Sequence, residues 1–308
     1  MSQTVASATT SNDPCLINVR PLSGYTGAEI FGVDLRDPLT APVISEIRAA
    51  LLKWKVVFFR DQHLSQEQHL AFARQFGRPT PAHPTLPAAF PEFPEILLLD
   101  NLAFAGKESS GGPMVESRWH TDVTFVADPP MASILRGVVV PPYGGDTQFT
   151  NLVVAYERLS EPIRRCIDEL HAVHQNFLPL VRGELPSNLA KQFTGRTIRA
   201  VHPMVRVHPE TGEKTLFVNP NFTSHIVELT RREGAHLLEL LYEHMINAEF
   251  TCRFRWEPGS IAFWDNRATA HLVPTDIVVG QHRSMQRITL AGEPARSASG
   301  STSYSLSD

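Results

Sequence analysis

The apolar residues of this chain come in many short β-rich runs, parted by glycine and proline clusters and by a few helical stretches, with no regular alternation of strand and helix. That pattern opposes a doubly wound parallel sheet, which needs a crossover helix after nearly every strand. It favours a barrel or double-sheet core decorated by helices, and the expectation is a mainly β fold with helices around a distorted double-stranded β-helix, or jelly roll. From Leu16 to Leu35, short apolar stretches are broken by Gly24, Gly27 and Gly32, which suits strands and turns. Ala41 to Trp54 carries Val43, Ile44, Ile47, Leu51 and Leu52 at helical spacing, and VVFFR then reads as a buried strand. LSQEQHLAFARQFG predicts a second helix, with Ser65 as N-cap and Gly77 as its stop.

Six prolines between Arg78 and Pro94 exclude a regular element there and leave a long loop that contains His83, a candidate lid. EILLLDN and ASILRGVVV read as strands, Ser160 to Leu170 and Arg231 to Ile246 as helices. MVRVHPETGEKTLFV reads as a hairpin turning at Pro-Glu-Thr-Gly, and EPGSIAFWDN ends a further strand-like stretch. There is no internal repeat, and one domain over 16–294 is expected between a disordered N-terminus, 1–15, and a flexible C-terminal tail, 295–308. Both ends are polar and rich in small residues, unable to bury enough apolar surface to offset ordering entropy.

Bulk composition excludes several partners. The 308 residues are 42% hydrophobic, enough for a large core, and 28 Lys and Arg against 32 Asp and Glu give a net charge of -4. No basic footprint for nucleic acid exists, and no membrane span is expected, because the longest apolar run, Ile134 to Pro142, is broken by Arg136 and Gly137. The N-terminus lacks a secretory pattern, and Cys15, Cys166 and Cys252 are too widely spaced for a metal knuckle. A cytoplasmic location with ordinary thiols is expected.

Trp119-His120-Thr121-Asp122 places an imidazole and a carboxylate two positions apart, on one face if the segment is a strand. A third ligand would complete the 2-His-1-carboxylate facial set that leaves three positions open on iron(II). His271, 151 residues after His120 and just past a strand-like run, is the candidate, which makes His120, Asp122 and His271 the expected metal ligands. Downstream lie Arg283 and Arg287, four apart in the apolar setting Ser284 to Leu290. A guanidinium fork suits the distal carboxylate of 2-oxoglutarate, and a second one suits a second anion. Asp265 and Asn266 are expected to orient the turn before His271. His171, His174, His202 and His208 show no metal-ligand spacing and are assigned no role.

WHTDVTF (119–125), YGGDT (143–147), HPMVRVHPETGEKTLFVN (202–219) and WDNRATAH (264–271) together resemble the taurine dioxygenase family of iron(II)- and 2-oxoglutarate-dependent oxygenases, which includes alkylsulfatase and phenoxyacetate members. The resemblance spans roughly Val19 to Glu293. It implies a jelly-roll dioxygenase domain with Fe(II), 2-oxoglutarate and O2, in which Thr147 and Arg283 hold the far carboxylate of the co-substrate. It further implies that His83, Arg287 and the Val123 amide grip a small anionic sulfur-containing substrate, with Phe222 as an aromatic wall, and that the enzyme is a homodimer or homotetramer. The expected reaction hydroxylates the carbon next to the sulfur group of a small sulfonate such as taurine, releasing sulfite, succinate and CO2. Leu86 stands where the taurine enzymes carry tyrosine and Glu116 where they carry asparagine, so an alkyl sulfate or an aryloxyacetate is an alternative substrate. Outside this class, His, Asp and His suit a zinc hydrolase as well, and a jelly roll can be a non-catalytic binding protein.

Overall fold

The computed structural model describes residues 16–85, 87–104, 118–176, 197–274, 276–278 and 280–306. Its largest sheet has seven strands in the order β1 (Asn18–Pro21), β2 (Ala28–Phe31), β3 (Val56–Phe59), β13 (Ile261–Asp265), β5 (Ala132–Val139), β15 (Ser284–Leu290) and β4 (Leu97–Asp100). A three-stranded sheet, β12 (Thr251–Phe254), β6 (Thr147–Asn151) and β14 (Thr269–Leu272), supplies strands to the opposing face. A four-stranded sheet, β11 (Thr223–Ile226), β7 (His171–Gln175), β8 (Arg199–Pro203) and β16 (Tyr304–Leu306), and the hairpin β9 (Val205–Val207) with β10 (Lys214–Leu216) complete the β structure. All pairings are antiparallel except β2 with β3, so the expected mainly β, jelly-roll class holds and the doubly wound alternative does not.

The run VVFF shows why this core forms. Side chains alternate across a strand, and all four are buried because β3 is covered on both sides. Val57 and Phe59 join Ile134, Ile261, Phe263 and Ile288 beneath the helices α1 (Ala41–Trp54) and α2 (Gln66–Arg74). Val56 and Phe58 point the other way, into a layer with Phe149, Phe254 and Trp264 between the two sheets. There Phe58 stacks on Phe254 at 4.0 Å and meets Phe149 edge-on at 5.6 Å. Each such side chain contributes about 1.5–3 kcal/mol on burial.

The helices follow their sequence signals. α1 buries Ile47, Ala50 and Leu51 and stops at Lys55, whose φ is 68°. Ser65 caps α2 in a capping box with Gln68, as its sequence predicts, although the helix ends at Arg74, before Gly77. Short helices α3 (Asn101–Phe104), α4 (Leu152–Glu157) and α5 (Glu161–Ile167) follow, and Thr230 and Glu233 cap α6 (Arg231–Met245) reciprocally. The proline-rich segment forms no helix or strand among its described residues, and the Ala82 amide closes its base on the Pro94 carbonyl at 2.9 Å.

One expectation is corrected here. Residues 295–306, read as a flexible tail, fold back onto the domain. Ala295 is fully buried, and β16 pairs with β8 through Tyr304, Ser305 and Leu306. A polar strand needs little apolar area of its own when an existing sheet edge satisfies its amides, and hydrophobic patterning misses that. The expected disordered segment 1–15 and residues 307–308 lie outside the described residues, as do Leu86 and Glu116.

Candidate metal centre and anion pocket

His120 and His271 are direct neighbours across an isolated antiparallel bridge, exchanging both main-chain hydrogen bonds at 2.9 and 2.7 Å. Their rings lie 4.2 Å apart between centroids. Asp122 completes the group, with Oδ1 3.9 Å from Nε2 of each histidine, and one ligand atom from each residue lies within 4.8 Å of the others. Two metal–ligand bonds of about 2.1 Å can span up to about 4.2 Å, so the N2O set suits a single ion.

The local structure differs from the strand rule. His120 is a lone bridge residue, and from Asp122 the chain enters a turn in which Val123 adopts φ 55°. A β-branched residue in the left-handed region costs about 1–3 kcal/mol and is held only by its surroundings. Asp122 stands at the start of this turn, two residues past the bridge. His271 lies within β14, not after a strand end, and the tight connection Asp265–Ala268 after β13 delivers it.

Supporting polar groups fix the carboxylate. Trp264 Nε1 donates to Asn266 Oδ1 at 2.9 Å, Asn266 Nδ2 to Ser133 Oγ at 2.8 Å, and Ser133 Oγ to Asp122 Oδ2 at 2.6 Å. Asn266 therefore steadies Asp122 and, through Trp264 and the hydrogen bond from its own amide to the Met131 carbonyl, also ties down the connection before His271. Asp265 shapes that turn as well, accepting from the Arg267 amide and side chain and pairing with His208 at 3.0 Å. His120 Nδ1 lies 2.8 Å from the Arg118 carbonyl, which leaves Nε2 for a metal.

Burial pushes the Asp122 carboxyl up, yet Arg287, both histidines and the Ser133 hydroxyl outweigh it and hold it at about 2. Burial, then the neighbouring His120 and Arg287, pulls His271 down to about 3, and burial also lowers His120. At neutral pH the triad is thus one carboxylate and two neutral imidazoles, the protonation that binds a cation.

Arg287 is buried on β15 and pairs with Asp122 Oδ1, while its Nε has no partner among the described residues. Arg283 precedes the strand, separated from Arg287 by a register shift at Ser284/Met285, so simple strand alternation does not relate them. Its Nε donates to the Gly145 carbonyl at 2.9 Å, and its buried Nη2 is unpartnered among the described residues. YGGDT has a physical reading here: Gly145 has φ 66°, and a Cβ on it would stand 2.8 Å from Arg283 Cδ. Thr147, two residues on, is fully buried and accepts from Trp256 Nε1 at 2.9 Å, so its own hydroxyl proton is free to donate. An unpaired guanidinium nitrogen and a buried hydroxyl suit the carboxylate of 2-oxoglutarate, and Fe(II) suits the N2O set.

An aromatic file joins the His83 loop to the metal ligands: His83 packs on Phe125 at 5.9 Å, Phe125 on Phe222 at 5.2 Å, and Phe222 on His120 at 6.0 Å. Thr85 donates its amide to His83 Nδ1 at 3.2 Å, which places the ring proton on Nε2. Burial, then Arg287, depresses His83 to about 4, so it is a neutral donor at pH 7.

Sequence reasoning left His174 and His202 without a role, and the structure sets both on the metal turn. His202 Nε2 lies 2.6 Å from the Thr124 carbonyl, His174 Nδ1 lies 2.8 Å from Thr124 Oγ1, and Asn219 Nδ2 donates to the same hydroxyl at 3.2 Å. Three side chains thus hold the residue after Val123. Only HPMVRVHPETGEKTLFVN, which contains His202 and Asn219, gave a sequence signal for them. Nothing local marked Ser133 or His174.

The profile of the family described as "Taurine catabolism dioxygenase TauD, TfdA family" matches residues 18–289. The chain is 40% identical to the alpha-ketoglutarate-dependent sulfate ester dioxygenase of Pseudomonas putida over 284 residues, 90% of each chain. It is 38% identical to the alkylsulfatase of Acinetobacter baylyi over 291 residues, covering 92% of this chain and 88% of that one. A crystal structure of a taurine dioxygenase from Burkholderia xenovorans superposes with a TM-score of 0.82 at 46% identity, covering 96% of both chains. With a family profile over nearly the whole fold and relatives of this similarity, the chain belongs to the TauD, TfdA family of dioxygenases.

Proposed function

We propose that this dioxygenase oxidises a small alkyl sulfate ester at the carbon bearing the ester oxygen, with an alkylsulfonate such as taurine as the second reading. The observation that carries the proposal is the buried Arg287, paired with Asp122 and left with an unpartnered Nε, together with a neutral His83 that presents Nε2–H. A sulfur oxyanion offers several acceptors to these donors and to the Val123 amide, which the left-handed turn holds in place. The sulfate-ester reading takes precedence because the Pseudomonas putida and Acinetobacter baylyi relatives act on such esters. The Burkholderia xenovorans structure supports the sulfonate. Leu86, an alkyl side chain in place of tyrosine, suits an apolar tail better than an ammonium.

His120, Asp122 and His271 would hold Fe(II), and Thr147 with Arg283 would take the far carboxylate of 2-oxoglutarate. Bound iron supplies O2 activation coupled to oxidative decarboxylation. The residues of the chain do the positioning: Arg287 and His83 set the target carbon, Phe125 and Phe222 wall off water, and Ser133 and Asn266 keep Asp122 in line. In sum, RCH2OSO3⁻, O2 and 2-oxoglutarate give RCHO, hydrogen sulfate, succinate and CO2, the hydroxylated carbon expelling the sulfate.

The test is succinate formation by the Fe(II) enzyme over alkyl sulfates, alkylsulfonates, taurine and aryloxyacetates, with sulfate and sulfite measured in parallel. Succinate matched by sulfate establishes the ester reading, and succinate matched by sulfite the sulfonate one. Turnover of the aryloxyacetate alone overturns both.

A further inference from the structure

A cavity of about 390 Å³ opens beside β9 and shares no lining residue with the metal centre. Arg206, Val207 and Pro209 form one wall, and Glu293, Pro294 and Arg296 face them. The Val207 amide donates to the Arg296 carbonyl at 2.7 Å and ties the two walls together.

Arg206 is 2% exposed, its Nε is buried with no hydrogen-bond partner among the described residues, and its guanidinium rests 5.1 Å above the Phe217 ring. Thr215 stands directly opposite it on β10, on the same face, and its fully buried Oγ1 is unpartnered too. Of the two carboxylates that act on Arg206, Glu293 lines the cavity at its exposed side and Asp265 is committed elsewhere. Asp265 pairs with Arg267 and His208, and Glu210 pairs with Arg48 and Arg267. Although burial draws Arg206 down to about 10, it remains a cation at neutral pH. A buried cation short of hydrogen-bond partners in the wall of a cavity of ligand size is costly unless an acceptor enters.

We propose that this cavity binds a small monocarboxylate, its two oxygens bridging Arg206 and Arg296 and its apolar end lying against Val207, Pro209 and Pro294. The planar guanidinium fork matches a planar carboxylate. Beyond the two arginines only Thr302 offers a side-chain donor in the lining, and Glu293 at the rim repels a second negative charge, so dianions are selected against. The site is independent of the reaction at the metal centre.

The experiment titrates propionate and benzoate into protein whose metal centre is filled with zinc(II) and N-oxalylglycine, followed by isothermal titration and saturation-transfer NMR. Saturable binding is expected, weakened at least about tenfold in Arg206→Gln, about 1.4 kcal/mol. Because Arg206→Gln removes a buried group and could disturb the hairpin, Glu293→Gln serves as the second variant. It sits at the rim and should tighten binding severalfold by removing a like charge. Absence of saturable binding in the wild type, or equal affinities in all three proteins, overturns the proposal and leaves a hydrated cavity.

Discussion

His120 and His271 face each other in register, each donating its amide to the other's carbonyl. The backbone alone therefore sets the spacing of two imidazoles that lie 151 positions apart. That main-chain pair survives loss of either side chain, which leads to the first prediction. His271→Ala should fold normally yet lose the metal. Mn(II) at a hundred times its dissociation constant should stabilise the wild type by about 2.7 kcal/mol and leave His271→Ala unshifted in thermal melts.

Ser133 donates to Asp122 and is itself oriented by Asn266. Ser133→Ala removes the group that fixes the ligand rotamer, while the Arg287 contact remains. Metal affinity should fall about 10–100-fold, measured by competition with a chelator dye, with the melting temperature of the metal-free protein nearly unchanged. An equal loss in both quantities would mean that Ser133 serves the fold alone.

Gly145 lies so close to Arg283 that a methyl group must push the guanidinium stem aside. Gly145→Ala also strains a backbone at φ 66°. KM for 2-oxoglutarate should rise about tenfold or more, about 1.4 kcal/mol of lost binding, with KM for the sulfur substrate little affected. A rise confined to the sulfur substrate would contradict the assignment of Arg283.

His69 is fully buried on α2 and held at about 3 by burial and then by the charge of Arg136. Its folded value lies below its unfolded value, so the unfolded chain binds the extra proton. Stability is full above pH about 6.5 and drains as pH falls toward 3, by about 1.4 kcal/mol per pH unit from this residue. His69→Leu should remove about 2 kcal/mol of the loss between pH 7 and 5, read from urea midpoints. An unchanged slope would sink the assignment.

Much of the fold was readable because the signals were local. Ser65, the helical spacing from Val43 to Leu52 and the turn in HPETGEK each state their structure within a few residues. The β16 pairing was not readable, since its partner edge is made a hundred residues earlier and its own residues are polar. At the site, residue types were legible and geometry was not. His120 and Asp122 looked like strand neighbours, but His120 is a lone bridge residue and Asp122 opens a turn. Ser133, His174 and His202 act through hydrogen bonds to other chain segments, which no spacing encodes.

The buried groups of the centre also set a condition of electroneutrality. Asp122 carries one negative charge, Arg283 and Arg287 one positive charge each, and the histidines none, for a sum of +1. Bound Fe(II) would raise this to +3, dianionic 2-oxoglutarate would lower it to +1, and the proposed monoanionic sulfate ester or sulfonate would bring it to zero. Counted over these side chains, the fully assembled complex is neutral and every partial assembly carries net charge. The order in which ligands enter is thereby tied to charge as well as to shape, and a neutral analogue of the substrate, however well it fits, would leave the centre one charge short.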